Sequence, residues 1–161
     1  MTYSSAAINA PPNTSPIFIK RPILESIQLQ TEVVGRVPGV AIPIQLYSAG
    51  GAGGLIETIE VVALGANVQT VLRLYYSLPL GSGFKLFRET LLPAVATVSN
   101  DNIITGYPVR VALPKIMFPA SPNPATPNDG LRVPNGVEIA AALGTAIASG
   151  IIVSCFGGEF S

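Results

Sequence analysis

Apolar and polar positions alternate with a period of two in short runs separated by Gly, Pro, Asn and Ser. In residues 26–34, Ile27 and Leu29 alternate with Gln28 and Gln30, and in residues 71–76, Leu72 and Leu74 enclose Arg73. Successive side chains on a strand point to opposite faces, so each run predicts a half-buried strand. The other candidates are residues 40–47, 55–64, 84–91, 107–113, 137–143 and 151–156. Residues 57–61 are apolar on parts of both faces, the pattern of a strand covered twice. Many short strands punctuated by turn residues predict an all-β antiparallel domain, a β-sandwich of jelly-roll-like type.

The punctuation carries its own information. The glycine-rich residues 50–54 and 81–83 are free to take positive φ and read as hairpin connections. Residues 50–54 are not followed by Gly-Lys-Ser/Thr or by a helix, so they do not read as a phosphate cradle. Residues 138–143 hold strong helix formers, but Gly136 and Gly144 enclose too short a span for a stable helix, and a strand is expected.

Proline divides the chain further. Residues 1–22 carry Pro11, Pro12, Pro16 and Pro22, which cannot serve a helix or a central strand, and form an extended arm preceding a domain at 23–161. Within the arm, Pro16, Ile17, Phe18 and Ile19 make an apolar patch suited either to docking on another chain or to a terminal edge strand of the same domain. Residues 114–134 read as a long stiff loop in which Pro119, Pro122, Pro124 and Pro127 fix the backbone and offer a partner-facing surface.

Composition sharpens the picture. The chain is 48% hydrophobic and 11% charged, whereas ordinary soluble domains carry roughly 25% charged residues. So few charges imply a surface largely covered by other protein. Nine Lys and Arg balance nine Asp and Glu, and the basic residues are scattered, so no nucleic-acid footprint exists. The absence of histidine removes the common Ser-His-Asp and Cys-His nucleophile pairs and His-based zinc sites. Asp101 and Asp129 sit in turn-like surroundings, and the glutamate spacing shows no paired-carboxylate design. No enzymatic activity, cofactor or metal is expected. Cys155 lies in an apolar run and reads as a small buried hydrophobe.

Residues 139–158 are uncharged over about the length of a membrane-spanning helix. Glu138 and Glu159 flank the run and Gly144, Gly150, Gly157 and Gly158 divide it, so two strands are expected and no membrane partner. The first residues lack the basic start and apolar core of a secretory signal, which fits assembly in a reducing cytoplasm.

The order of motifs resembles that of small β-sandwich proteins of tailed bacteriophages associated with capsid decoration, or cement, function. It runs from Leu55-Ile56-Glu57-Thr58-Ile59 through Val71-Leu72-Arg73-Leu74-Tyr75-Tyr76 and Arg88-Glu89-Thr90-Leu91-Leu92-Pro93-Ala94 to Val133-Pro134-Asn135-Gly136-Val137-Glu138-Ile139. It closes on Phe156-Gly157-Gly158-Glu159-Phe160. The arm and the 114–134 insertion lie outside that pattern. The resemblance implies a non-enzymatic structural virion protein that binds the major capsid protein lattice on the outer surface of the capsid. It also implies a symmetric oligomer, for which a homotrimer is the expected arrangement at a threefold lattice position. The alternative expectation is a β-sandwich host-surface or carbohydrate-binding module of a phage tail or fibre, which the absence of Trp disfavours.

Overall fold

The computed structural model describes residues 19–33, 42–79, 83–96, 107–114 and 130–160. Among these, nine strands build two antiparallel sheets packed face to face as a β-sandwich. The first sheet has the order β1 (Ile19–Leu29), β9 (Ile151–Phe160), β3 (Gly54–Ala63), β6 (Val109–Val111), and β7 (Leu131–Val133) also pairs with β3. The second has the order β2 (Ile44–Ser48), β8 (Glu138–Leu143), β4 (Thr70–Ser77), β5 (Phe84–Leu92).

The period-two pattern places the core. On β3, Ile59, Val61 and Ala63 are buried, and on β9 Ile151, Val153 and Cys155 meet them in register. From the second sheet, Leu72 and Leu74 of β4 sit beside Leu143 and Ala141 of β8 and complete the same core. Burying a Leu, Ile or Val side chain contributes about 1.5–3 kcal/mol, so this layer dominates the stability of the domain.

Residues 138–143 form a strand despite their helix propensity. β8 is hydrogen-bonded by β2 on one side and β4 on the other, and its residues from Ile139 to Leu143 are buried on both faces. Tertiary pairing outweighs a propensity difference of under about 1 kcal/mol per residue.

Several expectations change. Residues 50–54 do not close a hairpin: β2 pairs with β8 in one sheet and β3 lies in the other, so the glycine run is a crossing between layers. Gly53 turns the chain at φ 83°, and a Cβ there would lie 2.6 Å from the Val133 carbonyl oxygen. The end of the expected 114–134 loop is β7, because Leu131 and Val133 are buried against β3. Strand β1 takes in Ile19, Lys20, Arg21 and Pro22, assigned above to the arm. It is an edge strand, the position in which a proline such as Pro22 is tolerated. The 139–158 run becomes β8 and β9 in different sheets, and among the described residues no helix is long and apolar enough to cross a membrane.

Candidate docking surface

Part of the outer side of the second sheet is covered by the chain itself. Beyond β1, the Val33 amide donates to the Leu143 carbonyl at 2.8 Å, and Arg73 donates from Nη1 to the Val33 carbonyl at 2.9 Å. This strap seats Val33 against Tyr75 and Ala142, with Phe84 and Leu86 at the margin. Ala140 and Ala142 are small where β8 passes beneath, which leaves room for the Tyr75 ring on the neighbouring strand. Arg73 also donates from Nε to Glu89 at 3.2 Å, so one guanidinium holds the strap and the edge strand β5 together. Burial pushes the Tyr75 phenol above its ordinary pKa, and the nearby Arg73 charge partly offsets this.

Long strand edges invite further pairing, and both are blunted here. On β1, Pro22 lacks an amide donor, and the register places Glu25 on the inward side opposite Cys155. On β5, the register places Lys85 and Arg88 on the inward side opposite Tyr76 and Leu74. A strand added at either edge would have to accommodate these charges.

One end of the sandwich is locked. Arg21 donates from Nη2 and Nε to the two carboxylate oxygens of Glu159 at 2.8 and 3.0 Å, a bidentate pair joining β1 to β9. Tyr47, from the opposite sheet, donates its hydroxyl to Glu159 at 3.4 Å. Burial, followed by the Glu159 charge, raises the Tyr47 pKa far above the usual phenol value. Burial likewise pushes the Cys155 thiol up to about 11, so it stays protonated at neutral pH.

Among the described residues, the outer face of the first sheet carries exposed side chains. Across its strands the register aligns Leu24, Phe156 and Thr58; then Ser26, Ser154, Glu60 and Arg110; then Gln28, Ile152 and Val62. Leu24 is 69% exposed and Val62 42%. Ser26 and Ser154 share a hydroxyl hydrogen bond at 2.8 Å. Arg110 donates to Glu60 at 2.9 Å and is 78% exposed, so that pair adds little stability. Arg132 lies over the Phe160 ring at 5.2 Å from its centroid. In these rows the outward positions of β1 and β9, Leu24, Ser26, Gln28, Ile152, Ser154 and Phe156, are uncharged, whereas Glu57, Glu60, Arg110 and Arg132 lie on β3, β6 and β7.

Of the residues singled out from sequence, Ile19 opens β1 opposite Phe160. Pro16, Ile17 and Phe18, and Pro119, Pro122, Pro124 and Pro127, lie outside the described residues. The sequence reading missed the Arg21, Glu159 and Tyr47 lock and the Val33 strap, whose members are brought together only by the sheet topology. Among the described residues, no group of three or more His, Cys, Asp or Glu side chains could hold a metal. Comparison with protein-family models, curated proteins and solved structures found no match to this chain.

Proposed function

We propose that the protein is a structural virion subunit, a capsid cement or decoration protein of a tailed bacteriophage that binds and stabilises the major capsid protein lattice from outside. The observation that carries the reading is the outer face of the first sheet, where among the described residues Leu24 and Val62 are exposed beside the uncharged Ser26, Gln28, Ile152, Ser154 and Phe156, in a chain with 11% charged residues. Such a surface suits protein docking, since little charge need be desolvated. At roughly 25 cal/mol per Å² of buried apolar area, modest contacts repeated over a shell hold neighbouring capsomers together. The order of sequence motifs supports the same reading.

The carbohydrate-module alternative receives less support. Sugar platforms use exposed aromatic rings, whereas Tyr75, Tyr47 and Tyr107 are 0%, 3% and 7% exposed. In the cement reading, lattice contacts fall to the arm around Pro16, Ile17, Phe18 and Ile19 and to the segment holding Pro119, Pro122, Pro124 and Pro127. The test is quantitative mass spectrometry of particles purified from the phage that encodes the chain. Copies in the hundreds per particle, removable without loss of DNA packaging, are expected. A handful of copies per particle, or none, overturns the reading.

A further inference from the structure

We infer that the inward side of the edge strand β5 is a carboxylate-binding site, anchored by the Arg88 guanidinium. The inference is independent of the virion reading.

A register shift builds the site. β5 pairs with β4 as Arg73↔Glu89 and Leu74↔Arg88, and then as Tyr75↔Leu86, so Phe87 is one residue in excess. Bulges of this kind on an edge strand re-aim its side chains. Directly opposed residues share a face of the sheet, so Arg88 lies on the core side with the buried Leu74, and Glu89 on the outer side with Arg73. Phe87 packs against the same core, its ring 6.1 Å from that of Tyr76 between centroids. Lys85 follows on the inward side, opposite Tyr76. The strand therefore turns its cations inward beside an aromatic pair and sends its one carboxylate, Glu89, outward.

This arrangement leaves Arg88 short of an acceptor. Its Nε is buried and has no hydrogen-bond partner among the described residues. The described carboxylates in ion pairs are committed elsewhere, Glu159 to Arg21, Glu89 to Arg73 and Glu60 to Arg110. A buried donor without an acceptor costs about 1–3 kcal/mol, and more when charged. A guanidinium cannot escape that cost by losing its proton. An acceptor supplied from outside the domain removes it, and Arg88 as a whole is only part-buried, so its head group can be reached from the sheet edge.

The chemistry of the site selects the ligand. The planar fork of an arginine matches the two oxygens of a carboxylate, and the neighbouring Phe87 and Tyr76 rings lower the local dielectric, which strengthens a charge-assisted hydrogen bond. A phosphate dianion needs a second enclosed donor, whereas Lys85 is exposed and adds attraction at a distance.

The test is a titration of the isotope-labelled full chain with acetate, at an ionic strength held constant with chloride. The Arg88 Nε–Hε resonance and the Phe87 amide should shift saturably. Arg88→Lys keeps the charge but not the fork, and should bind acetate about tenfold more weakly or worse, read at the Phe87 amide. Arg88→Met should abolish binding. Because it breaks no internal bond and removes an unpaired buried charge, its melting temperature without ligand should equal or exceed that of wild type. Acetate should raise the melting temperature of wild type and not of Arg88→Met. A parallel titration uses the amide of N-acetylglutamate, whose only carboxylate is the side chain. Tighter binding than acetate identifies the source as an acidic side chain of a partner protein, and equal or weaker binding identifies a small free carboxylate; both support the site. No saturable shift with either probe, a shift with inorganic phosphate alone, or an Arg88→Met variant that melts below wild type without ligand overturns the proposal.

Discussion

Gly54 and the hydroxyl of Tyr47 occupy adjoining space: a Cβ on Gly54 would lie 2.5 Å from that oxygen, with Ile23 Cδ1 at 3.2 Å and the Gly158 carbonyl oxygen at 3.3 Å. The absence of one side chain on β3 is what lets a tyrosine from the other sheet reach Glu159. The inter-layer crossing at residues 50–54, the Arg21–Glu159 pair and the junction of the two sheets therefore converge on a single close approach.

Gly54→Ala should destabilise the domain by about 2–3 kcal/mol, the usual range for overpacking. Tyr47→Phe should cost about 1 kcal/mol through the lost hydrogen bond. In the double variant the methyl group occupies the space the hydroxyl leaves, so the combined loss should be smaller than the sum. Urea denaturation of the four proteins measures this, and strict additivity would place the clash elsewhere.

Alkaline pH should unfold the protein early. The Cys155 thiol is held near 11 against an ordinary value near 9, so the folded state retains a proton that the unfolded state has released. Stability from this group is complete below pH 9 and is lost as pH rises from 9 through 11. The raised Tyr47 pKa extends the loss upward from pH 10. At about 1.4 kcal/mol per unit, Cys155 alone accounts for about 2–3 kcal/mol. Urea midpoints at pH 7, 9, 10 and 11 should fall steadily, and Cys155→Ala should flatten the decline between 9 and 11 while lowering stability at pH 7. A midpoint independent of pH up to 11 would refute the burial argument.

The strap gives a local prediction. Arg73→Met keeps much of the side-chain bulk but loses the bonds to Val33 and Glu89. The Val33 amide should then exchange faster by about an order of magnitude, corresponding to about 1–1.5 kcal/mol of local opening. Tyrosine fluorescence should become more accessible to acrylamide as Tyr75 is uncovered, with no Trp to mask the signal. Unchanged exchange at Val33 would mean that its bond to Leu143 alone holds the strap.

Strand identity was legible where alternation marked a half-buried strand. Leu72, Arg73 and Leu74, and Ile59, Glu60 and Val61, show on the page which face meets the core. Sheet order was not legible, because the contacts that set it join distant residues. Arg21 and Glu159 are 138 positions apart, and nothing near either announces the other. The missed strand β7 contains only Leu131, Arg132 and Val133, too few for a periodic signal beside a proline-rich segment. The glycine run at 50–54 correctly signalled a turn, but glycine permits a hairpin and a layer crossing equally, and the partner strands decided between them. The candidate surface was foreshadowed only as a shortage of charge. Composition counts charges without showing that Leu24, Ser26, Gln28, Ile152, Ser154 and Phe156 form an uncharged stretch of that face.

Truncation separates the arm from the domain more sharply than the sequence boundary did. Removing residues 1–18 leaves β1 complete, and should keep the β-type circular dichroism and the melting temperature within about 2 °C of the intact chain. Removing residues 1–22 also takes Ile19 to Pro22 from the edge of the sheet and deletes Arg21, leaving Glu159 beside the Tyr47 hydroxyl without its bidentate partner. That loss, chiefly of the Ile19–Pro22 pairing with β9, should lower the melting temperature by several degrees. In the cement reading, the shorter deletion should weaken retention on capsid shells without altering the fold. Equal melting temperatures for the two truncations would show that the Arg21–Glu159 pair contributes nothing and that β1 effectively begins at Ile23.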